Sequence, residues 1–504
     1  MKLHNIFLGL LFVSSLLSFQ SVTQQKLGQH SSAEGFPRQR HNVVVILVDD
    51  VGVDQLASYD DVNLYTDPEG YAYGYTPNLD NMAANGVRYT QFRTNPLCSP
   101  TRASLLSGFY SFRHGAGTLV TKANQSATFH EFDLSPSPQH QLLPELIPYA
   151  TATIGKWHLG FQPPQGGTMD DHPNLIGITE WMGTPKNIGA GGPGTTQGIT
   201  PGYYNFFWVE NGIRTQVLNK SNSELIADKA VDWIGNHSDE PFFLYVPFNA
   251  CHVPVKDSDW PRDNHGFGVT PPTGNGKSTR WRAMLEHMDY HIGRIVNSVD
   301  DNTIVMVVGD NGTAVEAFEI DSDDVRYPAG HPLHSGISHL TQIDTSPYDS
   351  AKVKATMYEG GIKAPLIVYA PGLIAGGKVR DDLVDIVDIF PTVLTLMSVK
   401  TPSNRPGFDF SKSFLKNKSS KRDYSFSQLF GPNGLKPLGG SDFEWNAYIR
   451  KSSSGLWKII ELQYSGTGTF EFYNVLTDPL ETNDLTASHP EYQATLDEYL
   501  AFIQ

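Results

Sequence analysis

Six consecutive apolar residues, Val43-Val44-Val45-Ile46-Leu47-Val48, narrow the folds open to this chain more than any other feature. β-Branched side chains favour strands, and a strand with no polar face has to be covered on both faces. Similar runs recur at 242–246, 303–308 and 366–370. Helical patterns lie between them. Thr76-Pro77 opens one, with proline at the first helical position, and Gly86 closes it. Ile226, Ala230, Trp233 and Ile234 make an apolar stripe in a second, and Met284, Met288, Ile292 and Ile295 in a third. Buried strands alternating with helices predict an α/β fold, a large, mostly parallel sheet flanked by helices.

The last hundred residues read differently. Short antiparallel strands are expected at 457–462 and 470–473. A terminal helix is expected after Pro490, with Tyr492, Leu496, Tyr499, Leu500 and Ile503 on one face. Pro, Ser, Asn and Lys cluster at 400–420. The expected organisation is therefore an α/β domain over 41–400 and a smaller α+β unit over 401–504. Regions 162–202 and 313–350 read as long loops, a feature often tied to function.

Composition sets outer bounds. Hydrophobic residues are 39% and charged residues 18%, which excludes a disordered chain and a coiled coil. Lys and Arg total 37 against 53 Asp and Glu, a formal charge of −16, so a nucleic-acid partner is disfavoured. An anionic substrate would need a local cationic pocket. Two cysteines, Cys98 and Cys251, rule out a disulfide scaffold and allow one bridge at most. At the N-terminus, Lys2 precedes an apolar run at 6–17, and Gln24-Gln25-Lys26 follows. The run is too short to span a bilayer and reads as a signal peptide over 1–25 rather than an uncleaved anchor. The expectation is an exported protein, periplasmic or secreted, with no membrane span in the mature chain. Oligomeric state leaves no mark in the sequence.

Asp49-Asp50 directly follow the first strand, and Asp310-Asn311 directly follow the strand at 303–308. In open α/β sheets ligands gather at the carboxyl ends of strands. Alone, the first pair reads equally as a helix cap beside a solvated acid. Together the two pairs offer oxygen-only ligands for Ca²⁺ or Mg²⁺. Asn311-Gly312-Thr313 is also a glycosylation sequon, a use incompatible with ligation; others begin at Asn124, Asn219, Asn236 and Asn417.

The segment Cys98-Ser99-Pro100-Thr101-Arg102, closed by Gly108, is similar to the signature of the type I, formylglycine-dependent sulfatases of the alkaline phosphatase superfamily. Pro100 suits a helix start, which sets residue 98 at the positive end, with Arg102 one turn on. Other segments resemble the family in order. Gly155-Lys156-Trp157-His158-Leu159-Gly160 resembles its second signature, although Pro148 stands where glycine is common upstream. Ala250-Cys251-His252-Val253-Pro254 resembles the segment supplying a second histidine. Lys354, Thr356, Tyr358, Glu359, Gly360 and Gly361 resemble a further motif, and 473–484 the usual C-terminal strand and turn. Taken singly, a lysine beside Trp157 or a histidine beside Pro254 is more often structural. His331, His334 and His339 have no motif to support them.

The resemblance implies an alkaline-phosphatase-like fold and hydrolysis of sulfate esters. It implies that Cys98 is converted to Cα-formylglycine by a formylglycine-generating or sulfatase-maturating enzyme. It implies one Ca²⁺ held by Asp49, Asp50, residue 98, Asp310 and Asn311. Arg102, Lys156 and Lys354 would stabilise charge on the nucleophile and the sulfate. His252, with Lys354, would protonate the leaving alcohol, and His158 would act as base when sulfate leaves a covalent sulfo-enzyme. A Cys98–Cys251 disulfide would defeat this scheme. The implied substrate is a sulfated saccharide. Trp181, Tyr203, Tyr204, Trp208 and Trp260 are candidates for stacking on sugar rings, and core packing explains aromatics equally well. Two other readings stand beside it: a phosphonate or phosphate ester hydrolase of the same superfamily, and an inactive carbohydrate-binding homologue.

Overall fold

The computed structural model describes residues 40–62, 75–120, 141–160, 169–188, 202–252, 277–314, 352–431, 433, 443–464, 467–485 and 488–503. The signal region, Trp260 and the histidines at 331, 334 and 339 lie outside the described residues, as does most of 313–350.

Among the described residues, ten strands form the main sheet: β1 (Asn42–Val48), β2 (Val87–Arg93), β3 (Ala150–Lys156), β4 (Glu180–Thr184), β5 (Asn205–Glu210), β6 (Ile213–Leu218), β7 (Phe242–Pro247), β8 (Thr303–Gly309), β9 (Leu366–Tyr369) and β10 (Lys378–Asp385). Their order is β10-β2-β9-β8-β1-β7-β3-β4-β5-β6. Five neighbouring pairs are parallel and four antiparallel, so the sheet is mixed with a parallel centre. The apolar runs at 43–48, 242–246, 303–308 and 366–369 all fall on central strands.

β1 is covered on both faces, as its unbroken apolar run requires. Val43, Val45 and Leu47 enter one core, and Val44, Ile46 and Val48 enter another. The helices Asn222–Asn236 and Lys277–Val296 cover the second face, through Ile226, Ala230, Trp233 and Ile234 and through Met284, Met288, Ile292 and Ile295. Helix α1 (Pro77–Asn85) starts after Thr76 and stops at Gly86, where the sequence places its ends. Helix α2 (Cys98–Ser107) lies against the first face through Ala103, Leu105 and Leu106. It ends at Gly108, whose φ of 69° is the left-handed cap geometry that glycine adopts without strain.

Four further strands, β11 (Tyr424–Gly431), β12 (Phe443–Ser452), β13 (Gly455–Tyr464) and β14 (Thr467–Asn474), form an antiparallel meander. The helix Pro490–Ile503 packs on it. Phe426, Tyr448, Trp457, Ile459 and Phe472 of this sheet share one apolar cluster with Val43, Tyr245 and Met306 of the large sheet. Residues Arg40–Gln504 accordingly form one compact unit.

Three expectations are corrected. Region 162–202 is not all loop, because it supplies β4, which pairs with β3 and β5. Leu500 does not join the buried stripe of the last helix: it is 37% exposed, while Tyr499 is fully buried. Trp181, Tyr203, Tyr204 and Trp208 are at most 5% exposed and belong to the cores, so they offer no face to a sugar. Replacing a buried tryptophan leaves a cavity that neighbours fill only in part. Trp208→Ala is therefore expected to lower stability by about 3–5 kcal/mol in chemical denaturation. A loss under about 1 kcal/mol would return Trp208 to the surface.

Candidate active site

β8, β1, β7 and β3 are consecutive neighbours and all run parallel, so their carboxyl ends line one edge of the sheet. Each delivers polar residues there. β8 ends into Asp310-Asn311, β1 into Asp49-Asp50, β7 into the turn bearing His252, and β3 into Lys156 and His158. β2 leads to the start of α2, where Cys98 is the first helical residue.

Asp49, Asp50, Cys98 and Asp310 each bring one ligand atom within 4.8 Å of all the others, and all four are buried. Arg102, one turn into α2, binds across them. Its Nη2 donates to Asp49 Oδ2 at 2.8 Å and to Asp310 Oδ2 at 3.0 Å, and its Nη1 to the Lys156 carbonyl at 2.9 Å. Lys156 Nζ pairs with Asp49 and lies 3.6 Å from Cys98 Sγ. Lys354 Nζ is 2.5 Å from Asp50 Oδ1 and 3.8 Å from the same sulfur. Asn311 Nδ2 donates to Asp50 Oδ1 at 2.9 Å, and the Asp50 amide to Asp310 Oδ1 at 3.1 Å. The sequence-predicted residues at 49, 50, 98, 102, 156, 310, 311 and 354 thus meet in one buried cluster. His252 shares a second grouping with Asp49 and Cys98. His158 is tied to the start of α2 because Ser99 Oγ donates to its carbonyl at 2.8 Å.

Burial raises the Asp49 carboxyl, but Lys156 and Arg102 outweigh it and hold the group below the usual carboxylate range. Burial and then the Asp49 charge push Asp310 up to about 7. The Cys98 thiol is pushed up, first by burial and then by Asp49, so it is a neutral thiol and a weak nucleophile as it stands. Burial, Lys156 and Arg102 drive His158 well below its ordinary value, leaving it neutral. Lys354 moves up despite burial because Asp50 faces it.

The donor set suits a hard cation. Asp50 Oδ2 and Asn311 Oδ1 are buried oxygens with no hydrogen-bond partner among the described residues. Leaving such atoms unpaired is costly, and a divalent cation would satisfy both. Three carboxylates are balanced here by Arg102, Lys156 and Lys354, so a further cation would leave the pocket positive and receptive to an anion. Asn311 is fully buried, which excludes a glycan on it. Cys98 and Cys251 are both free thiols.

Three further side chains support the site in roles that nothing in the sequence marks. Asn187 Nδ2 lies 3.0 Å from His252 Nε2. Tyr203 Oη donates to the Asn249 and His252 carbonyls at 2.6 and 2.9 Å, so a residue read as a sugar platform instead holds the histidine turn. Thr313 Oγ1 accepts from the Gly52 amide at 2.9 Å, joining the two ligand-bearing turns.

A charge-balanced cluster with unpartnered oxygens and two lysines beside one helix-start side chain is a site suited to an anionic group. The sulfatase family profile matches residues 41–399, and that of the C-terminal region of N-sulphoglucosamine sulphohydrolase matches 351–501. The chain belongs to the sulfatase family, the sulfuric ester hydrolases. It is 30% identical to the N-acetylgalactosamine-6-sulfatase of Sus scrofa over 76% of this chain and 68% of that protein. It is 28% identical to the arylsulfatase G of Rattus norvegicus over 91% and 85%. The chain spans about two thirds of the length of the mammalian N-acetylgalactosamine-6-sulfatases it matches. Among solved structures, Ps i-CgsB superposes with a TM-score of 0.67 at 20% identity, covering 92% of this chain and 93% of that one. BT4656, solved with D-glucosamine-2-N,6-O-disulfate, gives 0.61 at 19% identity, covering 92% and 97%.

If the unpaired oxygens are cation ligands, Ca²⁺ stabilises the folded state by mass action. At a hundredfold excess over Kd the gain is about 2.7 kcal/mol. A matching rise in melting temperature is expected for the wild type and none for Asp50→Ala; an equal rise in both would remove Asp50 from the ligand set.

Proposed function

We propose that this protein hydrolyses sulfate esters of a saccharide, with residue 98 converted to formylglycine and one Ca²⁺ held by Asp49, Asp50, Asp310, Asn311 and residue 98. The observation that carries the reading is the placement of Cys98 Sγ between the Lys156 and Lys354 ammonium groups and Asp49, at the first position of α2. A thiol whose pKa is raised by burial has no evident use there, whereas a hydrated aldehyde supplies a second hydroxyl through which sulfate is released. Ca²⁺, when bound, supplies Lewis-acid stabilisation of negative charge at the nucleophile and the sulfuryl oxygens.

The chain's own residues do the rest. Lys156 and Lys354 flank the reacting atom and hold the anionic sulfuryl oxygens. Arg102, with Lys156, keeps Asp49 ionised, and it holds Asp49 and Asp310 in place through its Nη2. His158, neutral and with Nδ1 unpartnered among the described residues, is the proton acceptor at the side chain of residue 98 when sulfate departs. His252, held by Asn187 and Tyr203, is the proton donor to the leaving alcohol oxygen. A saccharide substrate is favoured by the relatives named N-acetylgalactosamine-6-sulfatase and by the glucosamine disulfate bound to a structural neighbour. The reading includes export, a signal peptide over 1–25, and a maturating enzyme that converts Cys98.

The test is sulfate release from a panel of sulfated mono- and oligosaccharides by protein made in a host with the maturation enzyme. Turnover is expected for at least one sugar and none for Cys98→Ala. Release of phosphate or phosphonate with no release of sulfate would overturn the reading. His252→Ala is expected to reduce kcat about 10²- to 10⁴-fold for a saccharide sulfate. The loss should be much smaller for nitrophenyl sulfate, whose leaving group needs no proton. Equal losses on both would remove His252 from that role.

A further inference from the structure

A second set of buried charges takes no part in the proposed reaction. Glu359, Arg93, Lys458 and Glu481 are at most 1% exposed, and Lys363 is 3% exposed. Glu359 is the hub. Arg93 Nε donates to its Oε1 at 3.0 Å and Arg93 Nη2 to its Oε2. Lys458 Nζ donates to Glu359 Oε1 at 3.3 Å and pairs with Glu481 Oε1 at 2.8 Å. Glu481 Oε2 accepts from the Glu359 amide at 2.6 Å. Burial raises the Glu359 carboxyl, but Arg93 and Lys458 hold it down at about 2, so the hub stays ionised.

The members come from separate parts of the chain. Arg93 ends β2, five positions before Cys98. Glu359 opens the short helix Glu359–Ile362, five positions after Lys354. Lys458 is on β13 of the second sheet, and Glu481 lies in the turn beyond β14. The Lys354 segment also leans on the site through its backbone. The Lys354 amide donates to Thr313 O at 3.1 Å, and the Ala355 amide to Pro96 O at 2.9 Å. Gly312 N donates to Gly361 O at 2.9 Å, and a Cβ on Gly312 would meet Gly360 O at 1.7 Å. The turn after Glu359 is therefore pressed against the residue that follows Asn311.

We propose that Lys458 and Glu481 are positioning residues: through Glu359 and Arg93, the second sheet clamps the segment bearing Lys354 against the segment bearing residue 98. Isolated charges are not left buried without reason, and a paired network is rigid because removing one member strands another. This sheet thus positions the catalytic groups, although none of its described strand residues is among the side chains that meet around residue 98. The inference rests on the proposed role of Lys354 beside residue 98.

The test uses the matured, calcium-loaded enzyme and Lys458→Met, with Glu481→Gln as a milder second variant in case the first folds poorly. Turnover of a sulfate ester, binding of inorganic sulfate by calorimetry, and melting temperature are measured for each, alone and combined with Lys354→Ala. A shift of an ångström in a charged group costs about 10- to 100-fold, so kcat and sulfate affinity are expected to fall by that order in folded Lys458→Met or Glu481→Gln. In the Lys354→Ala background either change should cost less than about twofold, because the group it positions is gone. Full multiplication of the two losses, or a lowered melting temperature with kcat and sulfate affinity within about twofold of wild type, would overturn the clamp. A wild type that frees sulfate from no ester would overturn the functional reading instead, and sulfate affinity would still decide the clamp.

Discussion

Three buried carboxylates, Asp49, Asp50 and Asp310, govern the site. Charges of one sign packed together in a low-dielectric interior are tolerated only when paired. Arg102, Lys156 and Lys354 arrive from α2, β3 and a distant segment to pair them. The parallel run β8-β1-β7-β3 brings the three carboxylates and Lys156 to one edge, because every one of those strands ends on the same side. The charge balance also frames the proposed chemistry. Asp50 Oδ2 and Asn311 Oδ1 have no partner among the described residues, and a cation bound there would turn a balanced cluster into a receptor for an anionic ester.

Much of this was legible in the sequence where local pattern and tertiary role coincide. The run at 43–48 is buried on both faces, so its lack of alternation was a direct signal, and the acids that follow it were placed by the architecture. The spacing from Cys98 to Arg102 is one helical turn, which lets a motif read along the chain report a contact in space. The helix from Pro77 to Gly86 was marked at both ends by residues whose backbone preferences are strong.

What was not legible depends on partners far away in the chain. β4 is five residues long and sits between segments rich in Pro and Gly, so its own composition does not announce a strand; β3 and β5 make it one. Tyr203 and Trp208 looked like sugar platforms because an aromatic side chain says nothing of which way it faces. Tyr499 and Leu500 both fitted the helical stripe, but the register of the final helix buries Tyr499 and leaves Leu500 exposed. The network of Arg93, Glu359, Lys458 and Glu481 joins residues that have no shared spacing, and only the packing of the second sheet reveals it. In the proposed clamp, stability and catalysis would be coupled, because the buried ion pairs joining Arg93, Glu359, Lys458 and Glu481 would also set the distance between Lys354 and residue 98.

The proposed chemistry requires that residue 98 not act as a cysteine. Mass spectrometry of the tryptic peptide containing residue 98, from protein made in its native host, tests it directly. The expected result is a peptide in which the thiol has become an aldehyde, with sulfur replaced by a carbonyl oxygen. An intact thiol at residue 98 in protein that nonetheless releases sulfate would contradict it.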